Sequence, residues 1–391
     1  MKRILLVNKS FEIGGIQSSM INMANELSNR YQVDLFLYNP TGILKERLNE
    51  KVNVLTPSWR FRAIGTPFSQ LVGEGDIKCI VYKVFAVLWC KLFDNVLPIN
   101  LAMKHQEKLI GYDLAIAYHQ EQRKNALVSG FSRVVDQCVE ARRKAAWMHF
   151  DGKTIDLDSR FNNPYYEKMD KIVFVSRSLM ENYTDLHSQF KDKADYCYNF
   201  MLYDAIKEKS TKQQETIYPS DGFICFSACR LSSEKGIVRA IDSLKGMFRE
   251  YPDLYWYIAG DGPERPNIEN AIRENQLNGR IVLLGNQSNP YPYMRNADLV
   301  LNVSYHEAAP MAFFESLAVG TPVFATRTSS ADELLCDEMN SFICENSEDG
   351  IYDRFASIMT NRKRITEVKS QLTNYCASND TSIEKIRTLM E

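Results

Sequence analysis

Tyr305-His306-Glu307-Ala308-Ala309-Pro310-Met311-Ala312-Phe313-Phe314-Glu315 is the stretch whose reading decides the fold. Two carboxylates have seven residues between them, and a proline turn follows the first. The second falls inside what reads as a new helix, ending near Gly320-Thr321-Pro322. An apolar strand pattern precedes the segment at 299–303 and another follows at 323–325. Strand, turn, helix start, strand is how an α/β protein presents backbone N–H groups and carboxylates at the carboxyl edge of its sheet. A purely structural helix start needs neither Glu307 nor a second acid two turns later.

Working outward, nearly all-apolar runs of parallel-strand type recur in two blocks. They fall at 4–7, 33–37, 114–118, 145–148 and 172–175, then at 223–228, 254–258, 281–284, 299–303 and 323–325. Helical spacing lies between them, as in Ile16, Met20, Met23, Ala24, Leu27 and in Ile237, Ala240, Ile241, Leu244. Two series of βα units predict two doubly wound domains, with a hinge in the polar stretch near 200–220. The 391 residues suffice for two cores.

Nine cysteines without CxxC pairs and only five histidines argue against structural zinc and against a disulfide framework. Cys225 and Cys229 read as buried thiols on a strand and its exit. The N-terminus enters a strand directly and no apolar run is long enough to span a bilayer, so the expected location is cytoplasmic. Residues 1–200 hold 27 Lys+Arg against 22 Asp+Glu, while the remainder is acidic, which puts any anionic-surface contact in the first half.

Residues 77–93 (IKCIVYKVFAVLWCKLF) carry three lysines and no acid among aromatic and aliphatic residues. Two readings stand open. One is a helix packed in the first core; the other is an interfacial helix with its lysines near lipid headgroups, peripheral at a membrane's inner face.

Candidate chemistry gathers in loops. Gly14 and Gly15 sit between the first strand and first helix, where paired glycines permit positive φ and a helix start offers N–H groups to an anion. The loop is neither GxGxxG nor a Walker loop. Arg230 and Lys235, in RLSSEKG, leave the first strand of the second block, where two cations can neutralise a diphosphate. Gly260, in GDGPE, and Gly285-Asn286, in LLGN, end two further strands of that block. Each loop alone is ordinary turn chemistry; together they converge on one sheet edge.

In this order the motifs resemble the retaining glycosyltransferases of family 4, of the bacterial surface-polysaccharide type, over almost the whole chain. The resemblance implies an α/β GT-B fold, two Rossmann-like domains facing across a cleft. Residues 1–203 would be the acceptor domain, 204–375 the nucleotide-sugar domain, and 376–391 a terminal helix crossing back to the first. It implies transfer of a hexose-type sugar from a nucleotide sugar, UDP-linked by preference, to a lipid-linked or other glycan in capsule, exopolysaccharide or surface-glycan synthesis. No cofactor, metal or nucleic-acid partner is implied. Glu307 would face the donor sugar, Glu315 would bind the ribose hydroxyls as a buried carboxylate, and N–H groups around Ala309 and Met311 would meet sugar or phosphate. Arg230 and Lys235 would hold the diphosphate, and Gly285 and Asn286 would frame the base. His149, at a strand end, matches a family histidine near the transferred sugar, and His119 matches one on the acceptor side.

The family commonly has glycine after the first Glu, whereas this chain has Ala308. Were that position left-handed, alanine would cost about 1 kcal/mol. No Asp-x-Asp metal pair stands in the expected place, which suits a front-face transfer driven by fixed cations and dipoles. The alternatives are a non-catalytic sugar-binding partner of another transferase and a nicotinamide-dependent dehydrogenase. The second lacks the third glycine of its loop.

Overall fold

A computed structural model describes residues 1–150, 159–213, 218–373, 375 and 377–391. The chain divides into two compact units, Met1–Phe200 with Asn379–Glu391, and Met201–Ser378. Part of the expected hinge, 214–217, lies outside the described residues.

The first unit is built on seven parallel strands: β1 (Arg3–Ser10), β2 (Gln32–Asn39), β3 (Asn53–Leu55), β4 (Leu109–Ala117), β5 (Val139–Met148), β6 (Lys171–Phe174) and β7 (Ala194–Tyr196). Their order is β3-β2-β1-β4-β5-β6-β7. Val7 lies opposite Phe36 on one side and Ala117 on the other. Ile4, Leu5, Leu6 and Val7 are all fully buried, which explains why this strand reads as a continuous apolar run rather than an alternating one. The last helix, Asp380–Leu389, belongs to this unit: Ser382 Oγ donates to the Tyr198 carbonyl at 3.1 Å and Lys385 reaches Asp195 at 2.6 Å.

The second unit has six parallel strands: β8 (Phe223–Ala228), β9 (Leu254–Ala259), β10 (Ile281–Gly285), β11 (Leu299–Asn302), β12 (Val323–Thr326) and β13 (Ser341–Cys344). Their order is β10-β9-β8-β11-β12-β13. Its core holds Trp256, whose indole N–H donates to Ser227 Oγ at 3.0 Å, and that hydroxyl donates onward to the Leu301 carbonyl at 2.7 Å. A buried polar relay costs little when each donor has an acceptor. The helix Ile237–Glu250 buries the Ile237, Ala240, Ile241 and Leu244 stripe against the sheet. In both sheets the first strand of the series has its successor on one side and a later strand on the other. That reversal opens a crevice beyond the carboxyl ends of β1 and β4 in one unit, and of β8 and β11 in the other.

Residues 77–93 form the helix Ile77–Leu92 with Phe93 as its cap. Cys79, Tyr82, Ala86 and Cys90 are buried, so core packing accounts for one face only. Among the described residues no helix is long and apolar enough to cross a membrane.

Candidate functional site

The loops after β8 and β11 meet at the switch point of the second unit. Gly236 makes the approach possible. It lies at φ +65° between the short turn Ser233–Lys235 and the helix Ile237–Glu250, and a Cβ there would stand 2.3 Å from the Val303 carbonyl oxygen. The Tyr305 N–H donates to the Glu234 carbonyl at 2.9 Å, binding the loops by backbone. Lys235 Nζ consequently reaches Glu307 Oε1 at 2.7 Å. The same oxygen accepts from Ser304 Oγ at 2.8 Å and from Asn302 Nδ2 at 3.3 Å. Burial works to lower the Lys235 pKa, but the charge and hydrogen bond of Glu307 outweigh it and hold the ammonium above the usual lysine value. Sequence reading missed Asn302 and Ser304; their placement five and three residues before Glu307, on a strand end and its exit, was the available signal.

Arg230 stands exposed on the same loop and, among the described residues, makes no ion pair. Cys229 beside it is a structural thiol, pushed up to about 12 by burial. Gly260 lies at φ +135°, and a Cβ there would fall 1.9 Å from the Cys229 carbonyl oxygen, so the β9 exit must be glycine to pass the β8 exit. The Gly260 N–H donates to the Gly285 carbonyl at 2.8 Å, bringing the ends of β9 and β10 together, with Asn286 exposed beyond them.

The helix Met311–Ala318 starts after Pro310, and Ala309 and Met311 are half-buried at its N-terminal end. The first N–H groups of any helix lack an intrahelical acceptor and carry the positive end of its dipole. Glu315 is half-buried rather than fully buried, and accepts the Tyr291 hydroxyl at 3.3 Å. Ala308 is not among the residues with positive φ, so the alanine carries no left-handed strain.

A further pair holds the β11 exit from the other side. Arg239 donates to the Val303 carbonyl at 2.9 Å and to Asn346 Oδ1 at 2.9 Å, and its guanidinium lies 3.8 Å from the Tyr305 ring centroid. Asn346 Nδ2 in turn donates to the Tyr305 carbonyl at 3.0 Å. Neither residue was legible as part of the site, because both come from distant elements and carry no motif.

In the first unit His119 lies just past the end of β4 and His149 directly follows β5. Gln120 accepts the backbone N–H groups of His149 at 2.7 Å and Phe150 at 3.0 Å through one amide oxygen. His149 Nε2 lies 3.0 Å from the Tyr118 carbonyl, which can only accept, so Nε2 carries the proton and Nδ1 is left as an acceptor. Burial first, and then the nearby His119, push the His149 pKa down to about 3, so its ring is neutral. His119 stacks on Phe131 with centroids 5.0 Å apart, and burial lowers its pKa too. Gly14 precedes the helix Gly15–Leu27 at φ 179°, an extended conformation open to any residue, so the expected positive φ is not used there. Among the described residues, no atom outside its own stretch of helix approaches within 4 Å of where a Gly15 side chain would begin. Ser19 of that helix meets the Tyr118 hydroxyl at 2.7 Å, joining the helix to the β4 exit. The thirteen expected residues thus form two groups, Gly14, Gly15, His119 and His149 on the first unit and the remainder on the second.

Residues 208–375 match the family model described as "Glycosyl transferases group 1". An uncharacterized glycosyltransferase of Methanocaldococcus jannaschii is 28% identical over 183 residues, 45% of each chain. The lipopolysaccharide core biosynthesis glycosyltransferase LpsE of Rhizobium meliloti is 25% identical over 181 residues, 46% of this chain and 51% of that one. The chain therefore spans about half the length of the curated relatives it matches. Among solved structures, Anabaena HepE in complex with UDP and glucose superposes with TM-score 0.70 at 18% identity, over 99% of both chains. That likeness establishes the GT-B fold.

Proposed function

We propose that this chain, whose residues 208–375 match the glycosyl transferases group 1 family model, is an enzyme that moves a sugar from a nucleotide-sugar donor to a glycan acceptor. The observation that carries the reading is the convergence of Lys235, Glu307, Arg230 and the Met311–Ala318 helix start on one switch point of the second unit. Two cations and the positive end of a helix suit a diphosphate that gains charge as it leaves. Glu307, with one oxygen already anchored, presents its other oxygen to sugar hydroxyls, and Glu315 receives the ribose. The exits of β9 and β10, with Gly260, Gly285 and Asn286, frame the base.

The transfer is retaining and proceeds on one face of the sugar. The bond from the anomeric carbon to the diphosphate oxygen breaks, the acceptor hydroxyl oxygen bonds to the same face, and its proton passes to the departing phosphate oxygen. Arg230, Lys235 and the helix amides hold the developing negative charge. His149 Nδ1 accepts from a sugar hydroxyl, Gly14 and Gly15 leave room for the donor, and His119 serves the acceptor. The donor is a UDP-sugar, a choice supported by the UDP bound to HepE. The acceptor is a lipid-linked glycan of a surface polysaccharide, made at the inner face of the cell membrane. Participation of LpsE in lipopolysaccharide core synthesis supports that class.

A thermal-shift screen across nucleotide sugars tests the reading, since a ligand binding only the folded state raises its melting temperature. One UDP-sugar is expected to stabilise the protein well beyond the free sugar. Indifference to every nucleotide and nucleotide sugar would overturn it.

A further inference from the structure

The helix Ile77–Leu92 presents an unusual outer face. At 100° per residue, Ile77, Val81, Val84, Phe85, Leu88 and Leu92 share one arc, opposite the buried Cys79, Ala86 and Cys90. That arc faces water: Ile77 is 73% exposed, Leu88 55% and Leu92 75%. Phe68 and Val72 of the preceding helix Phe68–Gly73 are exposed as well, and Phe93 continues the face past its end. A shallow groove lined by Trp59, Ile77, Lys78, Val81, Tyr82 and Phe85 runs along one side, almost wholly apolar. Scattered exposed apolar residues need no explanation, but a contiguous row along four helical turns marks a contact surface.

The charges around the row identify what it contacts. Lys83 does not belong to it: its ammonium turns inward to the carbonyls of Ala63, Ile64 and Thr66 at 3.2, 3.2 and 2.6 Å. Lys78 and Lys91 are exposed and edge the apolar arc on opposite sides. Lys78 lies 4.1 Å from the Trp59 ring centroid, and Arg60 stacks on the same ring at 4.7 Å. Arg123 and Lys124 are exposed beside the helix end, where the Lys124 carbonyl accepts the Asn95 N–H at 2.8 Å. The helix itself holds no acid. The nearest, Asp76, is spent on capping the Cys79 N–H at 3.0 Å and on Arg62 at 2.7 Å. Apolar centre, cationic edges and half-buried tryptophans at the rim form the pattern of a helix lying in the headgroup boundary. At about 1.5 Å per residue the helix is too short to span and long enough to lie along the surface.

We infer that this face docks the first unit onto an anionic lipid surface, seating the Ile77–Leu92 row among the acyl chains and Lys78 and Lys91 among the phosphates. The inference rests on this helix and its neighbours and stands apart from the chemistry of the transfer, although it would bring the protein to a lipid-linked acceptor. Half-buried Trp59 and Trp89 lie at its margin, whereas Trp147 and Trp256 are buried in the sheets and serve as internal controls.

The test is sedimentation of the full chain with phosphatidylcholine vesicles, with and without phosphatidylglycerol, at low and high salt. Binding is expected only with phosphatidylglycerol, weakened by salt, with tryptophan emission quenched by brominated acyl chains. The pair Val81→Asp and Leu88→Asp, and separately Lys78→Glu with Lys91→Glu, should each lower the partition coefficient at least about tenfold. Melting temperature and nucleotide-sugar turnover on a soluble acceptor should stay unchanged. Wild-type protein that ignores anionic vesicles, or an aspartate pair that binds as well as wild type, would overturn the inference. So would a dimer in solution that the aspartate pair dissociates without any vesicle binding, since the face would then belong to a second copy. Vesicle binding without sugar transfer would sink the transferase reading and leave this one standing.

Discussion

Lys235 Nζ and Glu307 Oε1 lie 2.7 Å apart, although 72 residues separate them along the chain. One side chain leaves β8 and the other leaves β11, neighbouring strands on the two sides of the fold's reversal. The pair therefore exists because of the topology, and Gly236 allows the two loops to close to that distance. In the proposed reaction Lys235 serves the phosphate and Glu307 the sugar, and each holds the other in place before the donor arrives.

Glu307→Gln and Lys235→Met are each expected to reduce sugar transfer by about a hundredfold or more, the scale for removing one fixed charge-stabilising group. Because the groups position each other, the double variant should be little worse than the poorer single one. Steady-state turnover of all three variants checks this, and full additivity would mean that the residues act independently.

Gly236→Ala should destabilise the protein by at least about 2 kcal/mol, combining left-handed strain with overlap at the Val303 carbonyl. Denaturant melts would give the number. Ala308→Gly, by contrast, relieves no strain, because Ala308 has no positive φ, and should leave stability unchanged or slightly lower.

Arg239→Met keeps the stem of the side chain but removes the donors to Val303 and Asn346. The loop carrying Tyr305 to Pro310 should loosen, weakening donor affinity by about tenfold with the fold intact, the range for hydrogen bonds from a charged group. Calorimetric titration of the donor measures it; an unchanged affinity would confine Arg239 to a structural part.

His149 gives a pH dependence with a definite sign. Its folded pKa of about 3 lies below the unfolded value of about 6.5. The unfolded chain therefore binds the proton first, and the contribution to stability is fully present above pH 6.5 and lost as pH falls towards 3. His119 is lowered in the same direction and adds to the slope. His149→Gln should flatten the stability curve between those limits by up to about 1.4 kcal/mol per pH unit. Urea melts at a series of pH values would show it, and identical slopes would mean that His149 is not held neutral.

Much of the fold was legible because long buried parallel strands leave continuous apolar runs, as at Ile4 to Val7 and Phe223 to Phe226. The strands that left no such trace were β3, β7 and β13, each at a sheet edge and only three or four residues long. Asn53-Val54-Leu55 is too short for any period to declare itself. In the site, motif residues such as Lys235 and Glu307 could be named from the chain, but the residues that hold them could not. Gln120, Arg239 and Asn346 act by geometry alone, and their partners are chosen by tertiary contact. The Ile77–Leu92 helix shows the same limit. Its sequence is apolar nearly all round, so only packing reveals which face is covered and that Lys83 points inward.

The central claim is that the second unit activates a nucleotide sugar for transfer. Its most direct test is an NMR time course of the donor found by thermal shift, incubated with the protein and lipid-linked glycan acceptors. The nucleoside diphosphate should be released, the sugar transferred with its anomeric configuration retained, and the rate about a hundredfold lower for Glu307→Gln. A donor that binds yet is never consumed, or one consumed equally fast by Glu307→Gln, would contradict it.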